Sequence, residues 1–249
     1  MRNWRWRAAL LAGTGLIAWV ACAAADERVR ETRNIQPPFS QVRLAGNFDL
    51  ELTQSDAISL VIEAAPEDLP NIRSDVDHGV LTVRRVDDGP LNFFGWFSRH
   101  RAAAARVLLS ARAIDRLTLD GAGHIHAGPW TSESLEVRVS GAGDVKLDRL
   151  KAARFSCEVD GSGDVLLAGA VYNQRIVLSG SGRYRASDLK SQTATVTING
   201  SAEVELWAEH KLDARISGSG DVRYYGAPAV TQSVSGSGRL TSLGAKNTP

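Results

Sequence analysis

Four acidic side chains occupy equivalent positions in stretches of the chain that repeat at roughly twenty-residue intervals. They are Asp144, Asp164, Glu203 and Asp221. With Asp160 beside Asp164, such carboxylates could act as general acid and base on a polysaccharide or bind Ca²⁺. Arg183 interrupts the series, however, and basic residues also flank it, namely Lys146, Arg185 and Arg223. We therefore interpret this series as a solvated face of mixed charge.

Other residue types that carry chemistry give weaker patterns. His124 and His126 have the spacing of one strand face and could reach a single metal ion, but the sequence offers no third ligand. Cys157 falls at an apolar position, which favours a small core residue over a nucleophile. The chain has no Gly-x-Ser-x-Gly motif, phosphate-binding loop, Cys-x-x-Cys or tandem calcium-binding nonapeptide. The sequence predicts no metal site, no cofactor and no enzymatic activity.

An internal repeat positions these residues. A motif such as DGAG at Asp120 or SGSG at Ser179 recurs along the second half of the chain. Its first glycines are Gly121, Gly141, Gly161, Gly180, Gly200, Gly218 and Gly236. The residues two before and four after each of them are apolar, and the residues between are mostly polar. This alternation with a period of two predicts strands with one buried face.

Two arrangements of the repeat are compatible with this alternation. Each unit could be one coil of a solenoid, in which equal positions stack about 4.8 Å apart, or one hairpin with a three-residue loop. A hairpin would place Asp160 opposite Asp164, which is a repulsive pair. We therefore predict an all-β fold, a right-handed parallel β-helix or solenoid with coils of about twenty residues. The first glycine would serve either a positive φ or a tight interior corner.

The domain boundaries follow from where the repeat is regular. We predict a less regular N-terminal cap over residues 26–110 and β-helical repeats over 111–249, with one continuous domain over 39–243. Within the cap, VRLAGNFDLELTQ resembles a further unit, with Gly46 as its first glycine. The segment PEDLPNIRSDV predicts a short helix.

Residues 1–25 have the parts of a secretory signal peptide. Arg2, Arg5 and Arg7 precede an uncharged stretch that ends in Ala23-Ala24-Ala25, and such segments are removed on export. The expected location is the periplasm or the cell surface. Cys22 offers an alternative, a lipoprotein attached to the membrane through lipid alone. An uncleaved N-terminal anchor is the third reading of this segment.

An aromatic cluster interrupts the pattern between residues 87 and 105. It consists of Phe93, Phe94, Trp96 and Phe97. These side chains could fold onto the cap, or they could form an exposed apolar patch that binds a ligand, a glycan or a membrane.

Several segments together resemble a known family. They are FSQVRLAGNFDLELTQ, HGVLTV, DGSGDV and ISGSGDVRYYGAP. The chain resembles the head GIN domain family, labelled putative auto-transporter adhesin, from about Phe39 to Leu243. The resemblance implies a β-helical fold in an exported bacterial protein and brings no catalytic residues.

The sequence predicts a non-catalytic protein of the bacterial cell envelope with a binding or structural function, similar to that of an adhesin. Its expected partner is an envelope protein or a glycan. The near-balanced formal charge of +1 predicts no nucleic-acid partner. A polysaccharide lyase or hydrolase that uses the outward carboxylates is one alternative. The other is an envelope assembly or stress partner that binds through the aromatic loop at residues 90–99.

Overall fold

The computed structural model describes residues 28–36, 38–86 and 104–246, which form almost entirely β-strands. In chain order the strands are β1 (Val29–Arg33), β2 (Gln41–Ala45), β3 (Phe48–Gln54), β4 (Ser59–Ala64), β5 (Ile72–Asp77), β6 (Val80–Arg85), β7 (Ala105–Ala111), β8 (Arg116–Gly121), β9 (His124–Gly141), β10 (Asp144–Gly161), β11 (Asp164–Gly180), β12 (Arg183–Gly200), β13 (Glu203–Gly218), β14 (Asp221–Tyr225), β15 (Ala229–Gly236) and β16 (Arg239–Ser242). A 3₁₀ turn spans Leu69–Asn71. Within these ranges, no helix is long and apolar enough to cross a bilayer.

The repeat units are coils of a parallel β-solenoid, as the sequence predicts. Each of the strands β9 to β13 is 16 to 18 residues long and makes one coil. Strand β10 pairs in parallel with both β9 and β11, so that Val159 lies between Val139 and Leu178. Hairpins would pair neighbouring segments antiparallel, so this register rules out the meander.

The core is a set of apolar columns that run along the stack. Ile125, Val145 and Val165 occupy one column, and each is 1% exposed. A single coil has no inner layer of its own, so its apolar face is covered only by the opposite wall and by the coils above and below. The stability of each coil therefore depends on its neighbours.

One polar network lies within this core. The Tyr184 hydroxyl donates to Gln174 Oε1 at 2.9 Å, and Gln174 Nε2 donates to Ser191 Oγ at 2.7 Å. Ser191 Oγ donates in turn to the carbonyl of Trp207 at 2.7 Å. The network joins strands β11, β12 and β13, and its hydrogen bonds compensate for burying these polar groups.

The first glycine of each unit stands at a corner where two coils nearly touch. Its φ lies between +121° and +145° in all seven units. A Cβ on Gly161 would lie 2.1 Å from the carbonyl oxygen of Gly141. That same oxygen accepts a hydrogen bond from the Ser162 amide at 2.9 Å. Positive φ and lack of space therefore both require glycine here.

The segment around Gly46 forms a coil of the same kind. Strands β2 and β3 meet at Gly46, whose φ is +127°. Leu44 pairs with Leu119, and Leu50 pairs with Ile125. The predicted unit is therefore in register with the first later unit, although Gly46 and Gly121 are seventy-five residues apart. The predicted short helix at residues 66–76 is reduced to the 3₁₀ turn at Leu69–Asn71, and residues from Ile72 onward pair with β6 as strand β5.

The N-terminal end of the stack is closed by a layer that includes antiparallel strands. Strand β6 pairs in parallel with β2, and β7 pairs in parallel with β3, so together they lie where a coil would lie. Strand β5 pairs antiparallel with β6, β4 with β7, and β1 with β4. The chain leaves β6 and enters β7 beside the Gly46 corner. The aromatic cluster at residues 93–97 lies outside the described residues.

The C-terminal end is different. Strand β15 pairs with β13 on one side, and no other described strand covers it. Val230 and Val234 stand in the inward columns, yet they are 39% and 41% exposed. The last coil therefore presents to solvent the apolar positions that every earlier coil buries.

The corner geometry predicts the effect of adding a side chain. We expect Gly141→Val to lower the free energy of unfolding by about 2–5 kcal/mol, because it adds a strained φ and a backbone clash. Gly128→Val is the matched control, since a Cβ at Gly128 would meet no atom within 4 Å, and it should cost less than about 1 kcal/mol. Chemical denaturation of both variants would measure the difference. Equal stability of the two would contradict the corner explanation.

Candidate functional site

The acidic series forms a column on the outer surface, beside a depression of 360 Å³. Arg183 Nη2 lies 2.7 Å from Asp164 Oδ2, and Arg239 Nη2 lies 3.3 Å from Asp221 Oδ2. The Asp164 amide donates to Asp144 Oδ1 at 3.1 Å. Each of these contacts joins one coil to the next, so these carboxylates stabilise the stacking of adjacent coils.

His126 lies between two carboxylates from different parts of the chain. Its Nδ1 is 2.8 Å from Glu51 Oε2, and its Nε2 is 2.7 Å from Asp148 Oδ2. Both ring nitrogens can donate only when the imidazole is protonated. The hydrogen bond to Asp148, and then that to Glu51, raise the pKa of His126 above its ordinary value of 6.5. When protonated, His126 would donate to both carboxylates and so join two coils.

The contacts of His126 extend into a longer series of alternating charges. Glu51 lies 3.9 Å from Arg106, Arg106 lies 3.9 Å from Glu63, and Glu63 pairs with Arg30. At the other end, Lys146 Nζ lies 3.0 Å from Asp148 Oδ1. We call this series the charge ladder; its members are Arg30, Glu63, Arg106, Glu51, His126, Asp148 and Lys146. It ties the antiparallel cap to the parallel coils.

The sequence pattern singles out His126 but not its partners. Glu51 and His126 both stand five residues after the first glycine of their units, Gly46 and Gly121. An alignment of these two units on their first glycines would have predicted that Glu51 and His126 are neighbours. Asp148 stands two residues beyond the position equivalent to His126, so stacking alone does not predict this contact.

The two histidines contact different carboxylates. His124 Nδ1 lies 3.3 Å from Asp144 Oδ2, whereas the partners of His126 occupy opposite edges of its ring. The described residues contain no cluster of three His, Cys, Asp or Glu side chains placed to hold a metal.

Of the remaining residues that the sequence singles out, one lies in the core and the others lie outside the described residues. Cys157 is fully buried, and burial raises the pKa of its thiol to about 12. A thiol with such a pKa stays protonated at neutral pH and is a poor nucleophile. Cys22, Phe93, Phe94, Trp96 and Phe97 lie outside the described residues.

A polar groove of 450 Å³ runs along the outside of the first coils. Arg43 Nε lies 2.7 Å from Asp120 Oδ2, and Arg116 Nε lies 2.7 Å from Glu136 Oε2. Arg138 Nε also contacts Glu136, at 2.6 Å. The arginines of this groove are thus neutralised by carboxylates of their own or adjacent coils, which leaves a polar surface with little net charge.

Comparison with known proteins supports the fold and identifies a family. A family model described as "Putative auto-transporter adhesin, head GIN domain" matches residues 38–228. None of the curated proteins matches the chain.

Several crystal structures share the architecture. A putative adhesin from Bacteroides fragilis has 19% identity and a TM-score of 0.77, covering 88% of this chain and 98% of that one. A putative lipid binding protein from Parabacteroides distasonis has 22% identity and a TM-score of 0.70, covering 87% and 96%. A putative adhesin from Parabacteroides merdae has 20% identity and a TM-score of 0.67, covering 87% and 96%. These similarities establish the solenoid fold.

The environment of His126 predicts a pH-dependent stability. Because folding raises its pKa, its stabilising contribution is fully present below about pH 6.5 and is lost as the pH rises through the raised value. We expect Tm to fall less between about pH 6 and pH 9 in His126→Gln than in the wild type. His210→Gln is the control, because His210 is exposed and has no ion pair among the described residues. An unchanged pH dependence in His126→Gln would contradict this role.

Proposed function

This chain belongs to the head GIN domain family of putative auto-transporter adhesins, whose model covers most of its length, and we propose that it is an exported, non-catalytic binding protein of the bacterial cell envelope. The observation that carries this proposal is the outer surface of the solenoid, where contacts between coils hold charged side chains in regular columns. The adhesin names in the family and among its structural neighbours suggest a binding protein.

A surface of this kind suits an extended partner. Parallel coils repeat side chains about 4.8 Å apart over the whole stack, so a polymer can be contacted at many points along one face. Ion pairs such as Asp164 with Arg183 hold these side chains in place before binding. Binding then requires little further ordering of the protein, which lowers its entropic cost. We propose an envelope glycan or an envelope protein as this partner.

The proposed location rests on the N-terminal segment. A signal peptide over residues 1–25 would send the protein to the periplasm or the cell surface. Cleavage after Ala25 would release a chain that begins at Asp26. Lipid attachment at Cys22 is the competing outcome, and it would hold the protein at the membrane without a spanning segment.

The structure gives the enzymatic alternative less support than the binding role. A glycosidase places a proton-donating carboxyl and a second carboxylate on either side of the scissile bond. Asp164 is instead held in an ion pair with Arg183, and Asp144 accepts a hydrogen bond from the Asp164 amide. These partners direct both carboxylates into contacts between coils.

Binding and turnover can be separated in one experiment. We expect the purified protein to retain envelope glycans on an array without releasing new reducing ends or unsaturated products. Asp164→Asn should leave glycan retention within about fivefold of the wild type, since a surface ion pair contributes about 0–1 kcal/mol. Turnover of any envelope or plant polysaccharide that Asp164→Asn abolishes would overturn the proposal in favour of an enzyme.

A second candidate function concerns the aromatic cluster. Strands β6 and β7 hold the two ends of residues 87–103 at the capped end of the stack, where the other coils have their glycine corner. The aromatic cluster of Phe93, Phe94, Trp96 and Phe97 falls between these two strands in the sequence. It would suit an envelope assembly or stress partner that recognises an apolar segment.

Deletion of residues 90–99 tests this second candidate. We expect the deletion to leave the cooperative unfolding of the solenoid in place and to remove specific proteins from the set that co-purifies from envelope extracts. Replacement of the same ten residues by a Gly-Ser linker of equal length is the control for chain connectivity. An unchanged set of partners in both variants would count against a role for the aromatic cluster.

A further inference from the structure

A third concave surface lies at a corner of the coils other than the one that the glycine motif forms. It has a volume of 430 Å³, and its walls come from three successive coils. We call it the cationic notch; the residues that matter for its properties are Thr131, Arg149, Lys151, Gly169 and Ala170. Neither the repeat pattern nor the family resemblance points to it.

The notch forms because small residues stand on both sides of two long cationic ones. Lys151 of β10 pairs with Thr131 of β9 on one side and with Ala170 of β11 on the other. Gly169 pairs with Leu150 and has a φ of +131°, and a Cβ there would lie 2.0 Å from the Leu150 carbonyl oxygen. Glycine is therefore required at this corner, and its missing side chain deepens the depression.

The two cations of the notch differ from most cations on the neighbouring coils. Within the described ranges, neither Arg149 nor Lys151 lies in an ion pair. By contrast, six cations on the same and neighbouring coils form ion pairs with carboxylates. They are Arg116, Arg138, Lys146, Arg154, Arg183 and Lys190. Arg149 and Lys151 stand two residues apart, and the residues that pair with Lys151 on the adjacent coils are small and uncharged. The two like charges produce a local positive potential that favours binding of an anion.

An exposed aromatic ring stands beside the notch. Tyr172 is 61% exposed, the most exposed aromatic side chain among the described residues. It follows Ala170 by two residues on β11, and strand geometry places its Cα roughly 8 Å from that of Lys151. A sugar ring can pack its apolar face on a tyrosine ring, while cations beside the ring hold an acidic substituent.

We propose that the cationic notch binds an acidic sugar unit of an envelope polysaccharide, with Arg149 and Lys151 holding its carboxylate or phosphate and Tyr172 packing against its ring. This assignment rests on the proposed binding function and names the polymer class that the protein recognises. Acidic polymers carry one such group in every repeat, so they would be retained in preference to neutral ones. The paired arginines of the polar groove do not provide this selectivity.

The test measures binding of two polymers by isothermal titration calorimetry. Polygalacturonate is the acidic probe and dextran is the neutral one. We expect the wild type to prefer polygalacturonate, and Arg149→Gln/Lys151→Gln to lower its affinity at least tenfold. The matched control is Arg175→Gln/Arg215→Gln. It removes the same amount of charge, from exposed arginines that have no ion pair among the described residues. It should change the affinity for polygalacturonate less than twofold. Tyr172→Ala should weaken binding without lowering Tm.

Each other outcome has a definite meaning. Equal losses in both double variants would show attraction to net charge and overturn the notch. Polymer binding that survives Arg149→Gln/Lys151→Gln would also overturn the notch, while leaving the binding function intact. Binding to phosphatidylglycerol vesicles in place of polygalacturonate would replace the sugar by a lipid headgroup and overturn this assignment. Failure of the wild type to bind either polymer would overturn the notch, whereas the binding function is overturned only if the envelope-glycan array also retains nothing.

Discussion

Stacking of one coil on the next is the interaction on which the rest of this protein depends. At the glycine corner the backbone of one coil approaches the carbonyl of the coil before it so closely that a Cβ on Gly161 would lie 2.1 Å from that oxygen. Close approach at this corner aligns every coil with its neighbours. The inward columns then fill the interior, and the outward columns place side chains of adjacent coils within reach of each other.

The charged surface follows from that alignment. Because equal positions of successive coils meet, a change of sign between neighbouring units produces ion pairs along the stack, as with Asp164 and Arg183. The charge ladder applies the same principle at the N-terminal end, where the strands run in both directions. There His126 lies within hydrogen-bond distance of a carboxylate of the first coil and of one from a later coil. The cap is thereby fixed by charges as well as by apolar packing.

In the function that we propose, selective recognition depends on where the regular pattern is broken. The columns of paired charge provide a stiff and nearly neutral surface, which favours broad contact over selective recognition. The cationic notch is a place where small side chains replace large ones and where two cations lie in no ion pair among the described residues. A solenoid can thus keep a uniform framework and vary only a few outward residues to choose its ligand.

The sequence by itself determined the local features of this fold. Alternation with a period of two assigned the side of each strand that is buried, and the spacing of the glycines showed that the units, including the one around Gly46, are equivalent. Tertiary structure decided which segments are partners: the parallel register, the antiparallel cap, the contact of His126 with Glu51 seventy-five residues earlier, and the notch beside Gly169. The alternation of apolar and polar residues shows only whether a side chain points into the core or toward solvent. Its neighbour depends on the register between distant segments, which the variable connections and the insertion between Gly46 and Gly121 conceal in the linear pattern.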